Sequence, residues 1–148
     1  MLLIGSHLAA GLIIGKLTGS YILALCGALF VDLDHLISYA KNGIIFDLKK
    51  LWKTITDPKD PFGSQRNFLH SFIFWILVFL IFANSKAGFI FSLGYLSHLI
   101  LDVLDGSDFR LFYPLSKINI KGPIGYLSRR ELVLTLFLFI IFFIICLS

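Results

Sequence analysis

Four histidines and several aspartates stand within, or at the ends of, segments that are otherwise apolar: His7, Asp32, Asp34 with His35, His70, and His98 with Asp102. Imidazole and carboxylate are the ligands expected for zinc (Zn) and, with a larger share of carboxylate, for manganese or iron. His98 and Asp102 are four residues apart, which puts both on one face of a helix about a turn from each other. Asp32 and His35, three apart, can do the same. Asp34 would point elsewhere on a regular helix, so either the helix unwinds there or Asp34 serves a second ion or supports a ligand from behind. The chemistry such a set offers at neutral pH is hydrolysis by metal-bound hydroxide, since zinc lowers the pKa of its water to about 7.

The elements that must position these groups are membrane helices. The chain has 148 residues, 57% of them apolar and only 15% charged, with sixteen Phe, and its mean hydropathy is +0.88. Typical soluble domains are about 45–50% apolar and about 25% charged. A disordered chain is excluded and a water-soluble globule is not expected. Five apolar segments, near 2–17, 21–39, 68–84, 87–105 and 131–147, stand against the roughly 20 residues a helix needs to cross a bilayer. The fold class expected is all-α: a single-domain integral membrane helical bundle of about five transmembrane helices over residues 1–148. The last segment holds nothing that could do chemistry and reads as an anchor or packing helix.

Two polar stretches, about 41–66 and 106–130, hold most of the Lys and Arg, and short cytoplasmic loops are enriched in these residues. With five spans, both loops and the N-terminus are expected on the cytoplasmic side of the membrane. The net charge of +4 is then accounted for by anionic lipid, and no nucleic-acid partner is expected. Within the first loop, Leu48, Leu51, Trp52 and Ile55 interleave with Lys49, Lys50 and Lys53. This pattern suits a short basic helix lying on the headgroups as well as it suits a plain linker. Gly88 and Gly94 are expected to permit close helix approach.

The same topology places every histidine, together with Asp32, Asp34, Asp102 and Asp105, in the cytoplasmic half of the membrane. Ionisable groups cost about 2.5–3.5 kcal/mol each near the bilayer centre, so they persist where they pair, coordinate or line a wet cavity. Four imidazoles with this many carboxylates exceed what simple pairing requires. His7, Asp32, Asp34, His35, His70, His98 and Asp102 are therefore the expected ligands of one to three divalent ions. Asp34 is also the candidate bridging ligand or general base. Arg66, with Arg129 and Arg130 as weaker candidates, could clamp a phosphate oxygen. A site at this depth can reach the ester or phosphoester of a membrane lipid, which makes lipid the expected partner and substrate. The alternative is a non-enzymatic metal-binding protein, a transporter or a regulatory scaffold. A transporter needs polar groups in the outer half, which offers little beyond Thr18, Ser20, Ser85 and Ser92. Cys26 and Cys146 lie in apolar runs without partners at metal or disulfide spacing. No cleavable signal is read at the start, so the mature chain is expected to begin near Met1.

The run Gly94-Tyr95-Leu96-Ser97-His98-Leu99-Ile100-Leu101-Asp102, followed by Leu111-Phe112-Tyr113-Pro114, resembles the signature of the membrane-bound metal-dependent hydrolases of bacteria and archaea. Some of that family are described as LexA-binding inner-membrane hydrolases. His7, the cluster Asp32-Leu33-Asp34-His35, and Arg66 with Phe68, His70 and Ser71 follow the family's order and spacing, so the resemblance covers about residues 5–114. It implies a metal-dependent hydrolase with a histidine-rich helical site loosely similar to that of zinc-dependent phospholipases C. The chain departs from the family pattern at Val31 (often Pro), at Gln65 and Leu69 (often His and Thr) and after Asp102, where a Thr and a Gly are common in the family and Asp105 and Gly106 appear here.

Overall fold

The computed structural model describes residues 4–57, 66 and 68–148. The start of the first apolar segment at residues 2–3, the 58–65 part of the first basic loop, which includes Gln65, and Asn67 lie outside the described residues. Seven helices follow one another among those described: α1 (Ile4–Thr18), α2 (Tyr21–Phe30), α3 (Leu33–Lys41), α4 (Leu48–Thr56), α5 (Phe72–Phe82), α6 (Lys86–Leu104) and α7 (Arg129–Leu147). No strand forms among the described residues. Two isolated bridges, Asp105 with Ile124 and Phe109 with Ile120, fold the segment after α6 back on itself.

All five apolar segments are helical, but they are unequal in reach. Tyr21–Lys41, Lys86–Leu104 and Arg129–Leu147 are long and apolar enough to cross a membrane. α1 has 15 residues and α5 has 11, about 22 Å and 16 Å at 1.5 Å per residue, short of a hydrocarbon core of about 30 Å. α5 is curtailed because the chain before it is tied down in a turn. Ser71 accepts from the Ile73 N–H and donates its own hydroxyl to the Tyr113 carbonyl at 2.5 Å. The Phe72 N–H is bonded to Leu111 O at 2.8 Å. Helix therefore begins at Phe72, not at residue 68.

α6 is the central element. It packs against α1, α2 and α5, while α1 also packs against α2 and α7. Its contact with α2 is a close approach of small residues. A Cβ on Gly94 would stand 2.2 Å from Ala24 O, and one on Gly27 would stand 2.0 Å from Phe91 O, so only hydrogen fits at either position. Such small-residue seams let backbones touch where no hydrophobic driving force separates helix from lipid. Val31, Tyr95, Leu99 and Phe109 form the buried cluster beneath the site. Facing outward instead are Leu132, Leu136, Phe137, Ile140, Phe143 and Ile144 of α7, with Leu77, Leu80 and Ile81 of α5. An apolar surface this continuous is stable against acyl chains and not against water.

The stretch 21–41 is not one regular helix. At its middle the Asp32 N–H bonds Leu29 O, the Asp34 N–H bonds Val31 O and the His35 N–H bonds Asp32 O, all reaching three residues back. A tightened turn of about three residues per turn changes which face the following side chains present. That turn brings Asp32, Asp34 and His35 inward together.

Candidate metal centre

Five separate pieces of chain deliver the site: α1 carries His7, the α2–α3 junction carries Asp32, Asp34 and His35, the turn before α5 carries His70, α6 carries His98 and Asp102, and Arg66 reaches in from the first loop. His7, His70, His98 and Asp102 are each 1% exposed, and Asp34, His35 and Arg66 are also buried. The rings of His7 and His98 stack at 3.8 Å, and His70 stands edge-on to His98 at 5.3 Å and to His35 at 5.0 Å. Asp102 is at the middle. Its Oδ2 lies 3.4 Å from His98 Nε2 and 3.6 Å from His70 Nε2, and its Oδ1 lies 3.8 Å from His7 Nε2. Asp32 Oδ1 lies 3.6 Å from His35 Nε2 and 3.8 Å from His98 Nε2.

The hydrogen bonds on the far side of the rings fix which nitrogens face this centre with lone pairs. His98 Nδ1 is 2.6 Å from the Ala28 carbonyl. A carbonyl only accepts, so Nδ1 carries the proton and the neutral ring turns its Nε2 lone pair inward. His70 Nδ1 is 3.1 Å from Asp34 Oδ2 and donates to it, which leaves His70 Nε2 as an inward acceptor. Asp34 is itself held by the backbone N–H groups of Leu69 at 2.9 Å and His70 at 3.2 Å. The resulting carboxylate–histidine arrangement is the one that orients metal-binding imidazoles from behind. Asp34 Oδ2 thus faces the His70 ring and the N–H groups of its turn.

In the neutral rings acceptor therefore meets acceptor where His70 and His98 turn Nε2 toward Asp102 Oδ2, while His7 keeps one ring N–H. Both oxygens of Asp32, Asp102 Oδ2, His70 Nε2 and both nitrogens of His7 are buried and have no hydrogen-bond partner. Each such atom costs about 1–3 kcal/mol if left so, and more when charged. A divalent cation removes that cost by meeting several at once. Two groups have donor atoms within 4.8 Å of one another: His7, His98 and Asp102, and Asp32, His70 and His98. Both use His98, whose Nδ1 is already bonded. One nitrogen binds one ion, so the groups are either two views of one centre or share out a pair of ions.

Arg66 balances part of the charge. Its Nη2 donates to Asp102 Oδ1 at 2.9 Å and to Asp105 Oδ2 at 2.5 Å, and its guanidinium lies over the Phe109 ring at 5.4 Å. Burial works against the Arg66 charge, but Asp102 and Asp105 outweigh it and raise its pKa above the ordinary value. Burial likewise pushes the Asp105 carboxyl up, and Arg66 with the Ser107 N–H brings it below the usual range. The Arg66 fork thus faces Asp102 and Asp105. Arg129 and Arg130 are exposed at the start of α7, where Arg130 Nη1 donates to the Pro123 carbonyl.

The structure brings together His7, Asp32, His35, His70, His98 and Asp102, with Asp34 and Arg66 on their flanks. Three supports surround them. Asp105, a further carboxylate one helical turn beyond Asp102, anchors Arg66, and Tyr95, one turn before His98 and readable from sequence as a packing or supporting group, donates its hydroxyl to the Leu69 carbonyl and so holds the turn carrying His70. Sequence reading missed the third, the Ala28 carbonyl that orients His98, because a backbone group carries no sequence signal.

The chain matches the YdjM inner membrane protein family over residues 1–148 and belongs to that family. It has no significant match among curated proteins or solved structures.

Proposed function

We propose that this member of the YdjM inner membrane protein family is a metal-dependent hydrolase that acts on a lipid ester or phosphoester at the cytoplasmic leaflet. The observation that carries the reading is the convergence around Asp102 of buried imidazole nitrogens and carboxylate oxygens that have no hydrogen-bond partner. His7, Asp32, His35, His70, His98 and Asp102 would hold one or two ions, zinc by ligand type and manganese or iron by the share of carboxylate. When bound, a divalent ion supplies a water of lowered pKa and polarises an ester or phosphoryl oxygen. The protein's own groups do the rest. Asp34 fixes the His70 ring, the Ala28 carbonyl fixes His98, and Arg66 neutralises Asp102 Oδ1 so that Oδ2 is the oxygen left facing inward. Placement of the N-terminus and both basic loops in the cytoplasm belongs to the same proposal and rests on their Lys and Arg content.

The test is metal analysis of detergent-purified wild type beside His98→Ala, with Arg110→Gln as an exposed control. One or two equivalents of zinc, manganese or iron in wild type and control, lost in His98→Ala, is expected. Hydrolysis is then assayed on phosphatidylglycerol and phosphatidic acid in mixed micelles, with release of headgroup or phosphate as readout. Metal-free wild type after refilling with each ion would sink the reading. Bound metal without turnover on any lipid ester would retain the centre and reject the hydrolase.

A further inference from the structure

The first basic loop contains a helix turned the wrong way round for a protein in water. In α4, Leu48, Leu51, Trp52 and Ile55 fall at i, i+3, i+4 and i+7 and share one face. That face would be buried in a soluble domain. Here Leu48 is 77% and Trp52 70% exposed, Ile55 is also exposed, and Phe46 just before the helix is 95% exposed, whereas the helix residue that is buried is Thr54. Lys49, Lys50 and Lys53 lie beside the apolar face. Asp47 caps the helix through the Lys50 N–H at 3.0 Å, so the helix is locally specified and does not depend on packing its apolar residues.

Its position is fixed at both ends. Six residues separate Lys41, the end of the spanning stretch Tyr21–Lys41, from Leu48, a reach of at most about 20 Å. Within them Ile44 is buried at 3% exposure. At the other end the Tyr126 hydroxyl donates to the Ile55 carbonyl at 2.5 Å, three residues before α7 begins at Arg129. Both tethers lie beside ends of helices long and apolar enough to cross a membrane, Tyr21–Lys41 and Arg129–Leu147, and the Tyr126–Ile55 bond holds α4 near the second of these ends.

We propose that α4 lies in the headgroup layer of the membrane that holds the rest of the chain, with Leu48, Trp52 and Ile55 in the acyl boundary and the three lysines against anionic headgroups. Exposed leucine and tryptophan beside lysine are the two halves of an interfacial helix, and tryptophan prefers this depth. The lysines choose an anionic lipid over a neutral one. The inference does not depend on the metal or on hydrolysis.

Full-length protein is reconstituted into vesicles of phosphatidylcholine alone or with phosphatidylglycerol, and Trp75→Phe leaves Trp52 as the reporter. Trp75 donates to the Ser92 carbonyl, so a second reporter keeps it: an environment-sensitive fluorophore on Trp52→Cys with Cys26→Ser and Cys146→Ser. The expected result is blue-shifted emission, quenched roughly twofold or more by lipids brominated high in the acyl chain relative to deep bromination. Quenching should rise with phosphatidylglycerol and lose that rise in Lys49→Gln/Lys50→Gln/Lys53→Gln. Water-like emission quenched by iodide would overturn the proposal. So would blue-shifted emission that no brominated lipid quenches, which would mean that protein, such as a second copy of the chain, covers the face.

Discussion

Replacing Arg66 with methionine keeps most of the side-chain volume and removes the guanidinium from a buried acidic cluster. Arg66 Nη2 stands 2.9 Å from Asp102 Oδ1 and 2.5 Å from Asp105 Oδ2. At an effective dielectric near 20, each contact has a gross Coulomb energy of about 6 kcal/mol, most of it offset by the desolvation of the ions. What the substitution exposes is the stranding of Asp102 and Asp105, and removing one partner of a buried pair costs about 3–5 kcal/mol. The same change at exposed Arg110 should stay within about 0.5 kcal/mol. The cost should depend on metal. A bound divalent ion compensates Asp102 but not Asp105, so Arg66→Met should be less damaging in saturating zinc than in chelator. Adding Asp105→Asn should recover part of the loss, because it removes the carboxylate that the ion does not reach. The assay is unfolding in mixed micelles followed by tryptophan fluorescence, each variant with and without chelator. A cost below about 1 kcal/mol, indistinguishable from Arg110→Met, would refute the view that these charges depend on one another.

Further outcomes follow from other parts of the structure. Gly94→Ala places a methyl 2.2 Å from Ala24 O, so α2 and α6 must part by about 1 Å, at a cost of about 1–3 kcal/mol. It should also weaken metal retention by pulling Ala28 from His98, and an unchanged melting point would reject the close approach. Asp34→Asn leaves the inward atoms in place and alters only the support of His70. Metal affinity by chelator competition should fall about 10–100-fold, and wild-type affinity would remove Asp34 from the site. Asp108 accepts from Lys121 at 2.8 Å and Asn119 at 2.7 Å, which lowers its pKa. This small stabilisation is present above the unfolded aspartate value of about 3.9 and is lost as pH falls through the lowered value. Exchange of the Ile120 amide, relative to its intrinsic rate, should therefore speed up at acid pH in wild type and show no such step in Asp108→Asn.

How much of this was legible in the sequence depends on the range of the interaction concerned. Apolar runs mark the helices because burial in lipid is a property of each residue, and all five segments are helical. The His98–Asp102 pair could be read because both lie on one regular helix. The start of α5 could not be placed in the same way. Phe68 and Leu69 begin the apolar pattern ahead of His70 and Ser71, and the partners that hold this turn, the Leu111 and Tyr113 carbonyls, lie some forty positions away. The break at Asp32 was open for a related reason: no glycine or proline stands at residues 31–34 to mark it, and spacing alone showed only that a regular helix could not aim Asp32, Asp34 and His35 at one point. The residues that converge could thus be picked out one by one, as ionisable groups in apolar runs. Their roles are set by contacts across the fold, Asp34 to the His70 turn and Asp105 through Arg66 to Asp102, and no periodicity encodes them.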